Sequence, residues 1–504
     1  MTMLLRAEEL VVHHFVAIDN PDGPLAVRFL HSLWRACGER AGMTEQVPGV
    51  SFHPGLAPLS RIGPGTRLLA GRKRPDTEGG VYEAVLRQEH DVLCLSAVLC
   101  PDPATGVGWR ELLAQWQMVT RQGEAEPTRG LLGTSLIFLT RLTAPEDRPS
   151  AAPGGPQAEA VGALLPVTEP NVDWTERGTD VPRGFAVWEA SAADDARVER
   201  RFAVVGSARD EVALSNWAWL GPGRVLPPFA KYLLNAAKLR YQLRVWGDGQ
   251  RTRELRQEAD TALQGILETV VRGPGTRDPN QEELVRASRD VVALQARELG
   301  LVNRSTRLRE MRRGVEIATV NLSAFSDDPD GRLTGPFADD RGLAEWFAAR
   351  LDDETAYVDA TLQRCAQISG LTDQLVQRSR QRRQESINLG LTGAIGAILM
   401  VLAAVQSLQY SVPLPPALKP AVVAVLGASA LLASLVVVRT VVPDRNWSLV
   451  LVGSGVGALA AALSWLTVSV VAGNAAGPRT AWLGAGAGLL IGMLVAMAWR
   501  RLRK

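Results

Sequence analysis

The stretch Ile387–Gln409 reads INLGLTGAIGAILMVLAAVQSLQ and carries no charged residue over its 23 positions. Three further apolar stretches follow, at Ala421–Val438, Ser448–Ala472 and Ala481–Trp499. A helix of roughly 20 apolar residues crosses ~30 Å of hydrocarbon and satisfies its own backbone polar groups there. Any one stretch alone is also compatible with a buried core helix. Four in succession, separated by prolines and charges, predict a four-span transmembrane region.

The distribution of positive charge predicts how these spans are oriented. Cytoplasmic loops of membrane proteins carry an excess of Arg and Lys. In the two loops that would face outward, the only positively charged residues are Lys419 and Arg479. We therefore predict a multi-pass protein of the cell membrane with both termini in the cytoplasm. The residues that set this orientation are Arg378, Arg380, Arg382, Arg383, Arg439, Arg445, Arg500, Arg501, Arg503 and Lys504.

Composition limits the partners and the redox setting of the remaining chain. The formal net charge of +2 over 504 residues provides no broad basic surface, which argues against nucleic acid as a partner. The four cysteines, in a cytoplasmic and hence reducing compartment, are expected to be buried thiols rather than disulfides.

The part before the spans predicts an α+β fold followed by long amphipathic helices. Residues 1–143 alternate β-branched runs with the amphipathic stretches 25–41 and 109–120, as in an α/β domain around one sheet. Residues 144–158 contain four prolines and predict a linker or long loop. Residues 159–225 predict short strands, among them Val212–Trp219, that either complete this sheet or form another. The helical bundle and stalk occupy 226–386, and the four-span domain with its basic tail occupies 387–504.

Two features of the helical part predict how it packs. Apolar residues recur every seven positions from Ala287 to Leu322, but no second apolar column accompanies them. This favours one helix packed in a bundle over a coiled coil. The last helix, from about Leu343 to Glu385, is expected to continue into the first span, with Gly370 as a candidate interruption. About sixty residues at 1.5 Å each would give ~90 Å, enough to couple the cytosolic part to the bilayer.

Motifs of catalysis are weak in this sequence. There is no phosphate-binding Walker loop. The sequence around Cys37 is weakly similar to the caspase nucleophile signature, but Cys37 lies on a predicted amphipathic helix and has no histidine at the expected spacing. His90, Asp91 and Cys94 lie close together in the sequence, and His13 and His14 lie on the predicted first strand, from where the fold could bring them to the same place. They are candidates for a ligand or partner site, and Cys94 with Cys100 lacks the spacing of a zinc knuckle. We expect no catalytic residues, no cofactor and no metal.

Glycines within the third and fourth spans have spacings that let helices approach closely. They are Gly453 and Gly457 in the third span, and Gly484, Gly488 and Gly492 in the fourth.

Three segments carry a family resemblance: Leu10–Ala17 (LVVHHFVA), Gly42–Gly49 (GMTEQVPG) and Arg87–Cys94 (RQEHDVLC). In these the chain resembles the actinobacterial family of caspase and TPR repeat-associated proteins from CATRA conflict systems. The resemblance implies a membrane-bound component that acts beside caspase-like peptidases and TPR proteins in immunity or programmed death. It supplies no catalytic residues, so the peptidase would be a partner.

A second resemblance concerns architecture alone. A cytosolic α/β domain followed by long helices and a stalk also resembles the CorA-type divalent-cation transporters. Those have two spans and a Gly-Met-Asn signature after the first, whereas here the first apolar stretch is followed by Tyr410 without that signature. The spans also lack the carboxylates expected of an ion pathway.

The sequence therefore predicts a membrane-anchored, non-enzymatic sensor, scaffold or effector component, expected to be homo-oligomeric. A CorA-like channel or a pore-forming effector is the first alternative, and an unrecognised enzyme is the second.

Overall fold

The computed structural model describes residues 4–18, 23–50, 65–76, 79–121, 130–166, 173–191, 193–220, 225–271, 281–326, 332–410, 414–416, 418–441 and 446–473, together with 479, 482–483, 486–488 and 490. They form two compact units. The first lies within 1–264 and 290–365, and the second within 265–289 and 366–504.

The first unit is built on one mixed sheet. In the described residues it has nine strands: β1 (Leu5–Ala17), β2 (Glu45–Gln46), β3 (Gly65–Lys73), β4 (Val81–His90), β5 (Val92–Cys100), β6 (Leu131–Leu142), β7 (Thr179–Val181), β8 (Phe185–Glu189) and β9 (Glu199–Gly206). Their spatial order is β2-β3-β4-β5-β1-β6-β9-β8-β7. Neighbours pair antiparallel except β6 and β9, which are parallel.

Helices cover both faces of this sheet. On one face α1 (Gly23–Glu39), α2 (Trp109–Thr120) and α3 (Pro156–Leu164) enclose an apolar core that includes Trp34 and Trp116. On the other, α5 (Pro228–Trp246) packs on β1 and β6. A Cβ on Gly133 of β6 would lie 3.0 Å from the Cβ of Ala237, which shows how closely α5 approaches. Covering both faces explains why all twelve residues of β6 are buried.

The expectation of short strands over 159–225 is met for β7, β8 and β9, which belong to the same sheet as β1–β6. Val212–Trp219 was wrongly predicted as a strand. It forms α4 (Glu211–Ser215) and a π-helical turn, Asn216–Leu220. Leu214, Trp217 and Ala218 are buried, and their spacing of three to four residues is that of a helix face.

The proline-rich segment 144–158 is a packed loop that ends in α3. The buried Ala151 donates its backbone N–H to Asp180 Oδ1 at 2.7 Å, and Ser150 donates to Gln157 Oε1 at 2.8 Å. The first bond connects the segment to β7, and the second lies within the segment itself.

The helical part contains α6 (Gln250–Val271), α7 (Gln281–Ala296), α8 (Leu301–Phe325) and α9 (Gly335–Tyr410). The prediction of one continuous helix through the apolar residues that recur every seven positions was wrong, because the helix is interrupted between Ala296 and Leu301. A Cβ on Gly300 would lie 2.5 Å from the Leu294 carbonyl oxygen, so glycine allows the tight turn. Past the break, α8 packs along α5. The buried positions of α8 include Leu301, Leu308, Val315 and Leu322.

The stalk helix α9 has 76 residues, and Gly370 lies inside it without interrupting it. In the described residues three helices are long and apolar enough to cross a membrane: α9, α10 (Lys419–Val441) and α11 (Asn446–Val471). The predicted fourth span lies mostly outside the described residues, as do Gly484, Gly492, Arg445, Arg500, Arg501, Arg503 and Lys504.

Close helix packing characterises the second unit. Gly453 and Gly457 are buried in α11. A Cβ on Gly488, which lies in a described helical piece of the predicted fourth span, would come within 2.4 Å of the Gly457 carbonyl oxygen. A Cβ on Gly455 would come within 2.9 Å of a Leu435 methyl group in α10. Small residues therefore lie where these helices touch.

Candidate functional site

Two of the five sequence candidates lie close together inside the sheet. His13 on β1 is opposite Ser96 on β5, and its Nδ1 is 2.9 Å from the Ser96 hydroxyl. The same hydroxyl is 3.5 Å from the Cys94 thiol. His13 Nε2 lies 3.2 Å from the Ala218 carbonyl oxygen. Because a carbonyl oxygen can only accept a hydrogen bond, Nε2 is the donor. His13, Ser96 and Cys94 thus form a buried hydrogen-bonded row that ends on the π-helical turn.

This row is poorly suited to acid–base or nucleophilic chemistry. Burial lowers the pKa of His13 to about 3 and raises the pKa of the Cys94 thiol to about 12. The imidazole is therefore neutral and the thiol protonated near pH 7, whereas a nucleophilic cysteine requires the thiolate. Its hydrogen bonds fit a role in joining β1, β5 and the π-helical turn.

The other three candidates are elsewhere. His14 points to the opposite face of the sheet, where its ring lies between Phe29 and Trp116 and its Nδ1 is 3.0 Å from the Thr134 hydroxyl. Burial lowers the pKa of His14 to about 3 as well. His90 and Asp91 form the turn between β4 and β5, where His90 has φ +55°, as hairpin turns require. Asp91 pairs with Lys238 of α5 at 3.0 Å.

Sequence reasoning missed a buried network of charges at the other end of the sheet. Arg200 of β9 donates to both carboxylate oxygens of Glu189, at 2.7 and 2.5 Å, and to Asp340 Oδ2 at 2.8 Å. Tyr232 of α5 donates to the same Asp340 oxygen at 2.6 Å, and Arg240 of α5 lies 2.6 Å from Asp340 Oδ1. Asp340 is fully buried in the second turn of α9. One carboxylate thus binds the stalk helix to a strand and to a second helix.

The network is electrostatically balanced by its arginines. Burial by itself would raise the pKa of the Asp340 carboxyl, but Arg200 and Arg240 outweigh it and hold that pKa below its usual range. Burial would also raise the pKa of Glu189, but Arg200 and Arg197 outweigh this effect and hold that pKa well below its usual range. Burial raises the pKa of the Tyr232 hydroxyl, and Asp340 raises it further. Both carboxylates are therefore ionised at neutral pH, and both depend on their arginines.

A cleft of about 540 Å³ opens directly beside this network. Its lining mixes rings with both signs of charge. Trp346, a little over half exposed, and Trp174 provide aromatic surface. The lining also includes Arg177, Glu189, Ser191, Asp195, Arg197 and Asp339. Such a cleft can bind a polar group or a peptide side chain by ring contact and paired charges.

The start of α9 is tightly fitted into one wall of this cleft. Gly335 has φ +54°, and a Cβ there would lie 2.4 Å from the Arg177 carbonyl oxygen. Just before it, Thr334 donates its hydroxyl to the Gly178 carbonyl at 3.4 Å. Anything bound in the cleft would therefore contact the first turns of the stalk helix. In the described part of the chain no three His, Cys, Asp or Glu side chains are grouped as a metal site.

These features define a class of protein: a sheet domain and a helical domain joined by buried charges, followed by helices able to cross a membrane. The chain belongs to the CATRA family. Residues 9–221 match the caspase and TPR repeat-associated N-terminal domain, and residues 227–365 match the corresponding C-terminal domain. The family is associated with caspase and TPR repeat conflict systems. No curated protein and no solved structure matches the chain.

The two matched domains meet at the charge network. Glu189 and Arg200 belong to the N-terminal match, whereas Tyr232, Arg240 and Asp340 belong to the C-terminal match. The cleft is likewise lined from both, by Trp174 and Arg197 on one side and Asp339 and Trp346 on the other. The candidate site is therefore a property of the domain pair.

Proposed function

We propose that this protein is a membrane-anchored, non-enzymatic sensor or scaffold of a bacterial conflict system and acts with a caspase-like peptidase. The main support for this proposal is the position of Asp340. Its carboxylate is buried between the two CATRA domains, and the residue lies on the same helix that contains the first candidate span. Binding at the cleft would change the surroundings of the first turns of α9.

Anchoring in the membrane is the second element of the proposal. Three described helices have the length and apolar character of spans, and the apolar stretch Ala481–Trp499 would be the fourth. Four spans with arginines on one side would leave both CATRA domains in the cytoplasm, where a peptidase and TPR proteins can reach them. The tight glycine packing of Gly455 and Gly488 supports an assembled helix bundle.

The absence of enzymatic activity is part of the proposal and has a chemical basis. His13, His14 and Cys94 are buried, and His13 and Cys94 are held in their unreactive protonation states. In the charge network each carboxylate is paired with at least one arginine. Recognition by shape and charge is the function that these groups can perform.

The test is survival of bacteria that express the full chain with a candidate caspase-like peptidase, with membrane potential followed by a voltage-sensitive dye. We expect partner-dependent killing with intact potential before death. Trp346→Ala, which removes the exposed ring from the cleft, should weaken killing. Tyr357→Ala is the matched control, since Tyr357 is on the same helix with the same exposed fraction of 51%.

Depolarisation without the peptidase would contradict the proposal and favour a pore-forming effector or a CorA-like channel. Equal killing by the Trp346 and Tyr357 variants would remove the cleft from the mechanism.

A further inference from the structure

Four arginines from two helices line a second cleft, of about 860 Å³, in the second unit. Arg286 and Arg289 come from α7, and Arg380 and Arg383 come from α9. In each pair the two residues are three apart, which places them on the same face of their helix. The remaining lining residues are Val285, Gln384, Ile387 and Asn388. The arginines of α9 were expected only to orient the spans, and the structure adds two from α7 that the sequence did not connect with them.

The charge of this cleft is not neutralised by the protein. Other arginines in the chain pair with carboxylates, as Arg364 does with Asp260 at 3.0 Å. Within the described residues none of the four cleft arginines has a carboxylate oxygen within 4 Å. Glu385, close by on α9, accepts a hydrogen bond from Gln381 at 3.2 Å. Four guanidinium groups around one space attract an anion.

Guanidinium geometry indicates which anion. Each guanidinium presents parallel N–H donors that match two oxygens of a phosphate, and several arranged around one space favour phosphate over a single carboxylate. The four side chains are exposed, so a ligand can enter from solvent or from a membrane surface.

The position of the cleft distinguishes a lipid phosphate from a free one. Ile387, the first residue of the predicted first span, is itself part of the lining, and 62% of it is exposed. Arg383 precedes it by four residues, about 6 Å along the helix axis. Leu391 and Ile395 continue the apolar stripe on the same helix, both at least half exposed. A phosphate held by the arginines would therefore have apolar surface directly beside it, as the headgroup of a phospholipid does.

We infer that this cleft binds the phosphate headgroup of an anionic phospholipid in the cytoplasmic leaflet. The inference rests on the proposed membrane anchoring, because only then does Ile387 lie at the hydrocarbon boundary. It deepens that function, since a bound lipid would join α7 to the juxtamembrane part of α9. Anionic lipid at this point would tie the stalk to the membrane surface.

The test uses the full chain purified in detergent and fluorescent phosphatidylglycerol, with fluorescent phosphatidylcholine for comparison. We expect selective binding of phosphatidylglycerol, and a loss of affinity of about tenfold or more in Arg286→Gln/Arg289→Gln. The matched control is Arg378→Gln/Arg382→Gln, which removes the same charge from exposed residues of α9 that do not line the cleft. It should retain most of the affinity.

A second variant distinguishes loss of the site from loss of folding. Arg286→Lys/Arg289→Lys keeps the charge and removes the paired donors, so an intermediate loss of affinity at unchanged thermal stability supports the site. Equal losses in the cleft and control variants would overturn the inference, because they would indicate general charge attraction. Complete displacement of the lipid by excess inorganic phosphate would overturn the lipid assignment.

Membrane fractionation separates this inference from the proposed function. A full chain that fractionates as a soluble protein would contradict membrane anchoring, whatever the lipid assay shows. A chain that remains in the membrane but binds both lipids equally would contradict only the lipid site.

Discussion

Arg200 and Asp340, 140 positions apart in the chain, form an ion pair at 2.8 Å in which neither side chain is more than 3% exposed. The arginine belongs to the N-terminal CATRA domain and the aspartate to the C-terminal one. The other ion-pair partner of each residue lies in its own domain. Buried pairs gain little over an apolar pair of the same shape, but they are costly to break. The pair therefore makes correct assembly of the two domains a condition of stability.

The first prediction concerns this joint. Asp340→Asn should lower the free energy of unfolding by about 3–5 kcal/mol, because it removes the carboxylate paired with the buried Arg240 and leaves the buried Arg200 with Glu189 alone. The neighbouring Asp339→Asn is the control, since its pair with Arg177 is 43% and 60% exposed and should contribute at most about 1 kcal/mol. Denaturant unfolding of the full chain in detergent measures both. Similar losses for the two would show that the network does not join the domains.

The second prediction is a pH dependence from the buried histidines. In the unfolded chain a histidine binds a proton near pH 6.5, whereas His13 and His14 stay neutral in the folded chain down to about pH 3. The unfolded state therefore binds more protons between these values. Stability is full above pH 6.5 and falls as the pH decreases, by up to ~1.4 kcal/mol per pH unit for each histidine.

Replacing one histidine tests that slope. His14→Phe keeps an aromatic ring between Phe29 and Trp116 but removes the titrating group, and should flatten the decline between about pH 6.5 and 4.5, above the range of ordinary carboxyls. Unfolding followed by tryptophan fluorescence at several pH values gives the slope. An unchanged slope would mean that His14 is already accessible to protons in the folded state.

The third prediction concerns helix packing in the apolar region. Gly488→Leu should disrupt this packing, since even a Cβ would lie 2.4 Å from the Gly457 carbonyl oxygen and 2.7 Å from the Ala461 nitrogen. Gly486→Leu is the control, because no described atom lies within 4 Å of its Cβ position. Thermal stability of the full chain in detergent should fall for the first variant only. If both variants melt alike, the contact does not stabilise the bundle.

The fourth prediction addresses chemistry at Cys94. A thiol with a pKa of about 12 reacts slowly with alkylating reagents near pH 8, so labelling of Cys94 should require unfolding. Cys94→Ala should retain partner-dependent killing if the protein folds, and mass spectrometry locates the label. Rapid labelling of the native chain, together with loss of killing at normal abundance, would instead favour an enzyme.

Periodicity predicted most of the α+β region from the sequence. The helix Trp109–Thr120 has the predicted bounds, because a long amphipathic run leaves few alternatives. Val212–Trp219 was misassigned because a short apolar run fits both periods. The break before Gly300 was missed because the heptad column continues across it, and no local pattern distinguishes a bend from a straight helix.

The charge network could not be predicted from the sequence because its members are dispersed. Arg200 does leave a trace: it occupies an inward position in a strand, alternating with Phe202 and Val204. An arginine at such a position indicates a buried counter-charge. Its partner Asp340 is preceded by Asp339, however, and nothing in the local sequence shows which of the two is buried.

The central position of β1 has a consequence for how the chain acquires its structure. Strand β1 lies between β5 and β6, which both come later in the chain, so it must wait for both before its hydrogen bonds are complete. Strand β9 then joins β6, and Asp340 arrives from a much later segment. Such non-local pairing folds slowly. Until it is complete, the apolar edges of β1 and β6 are open to aggregation or to a chaperone, and the production of functional protein depends on that interval.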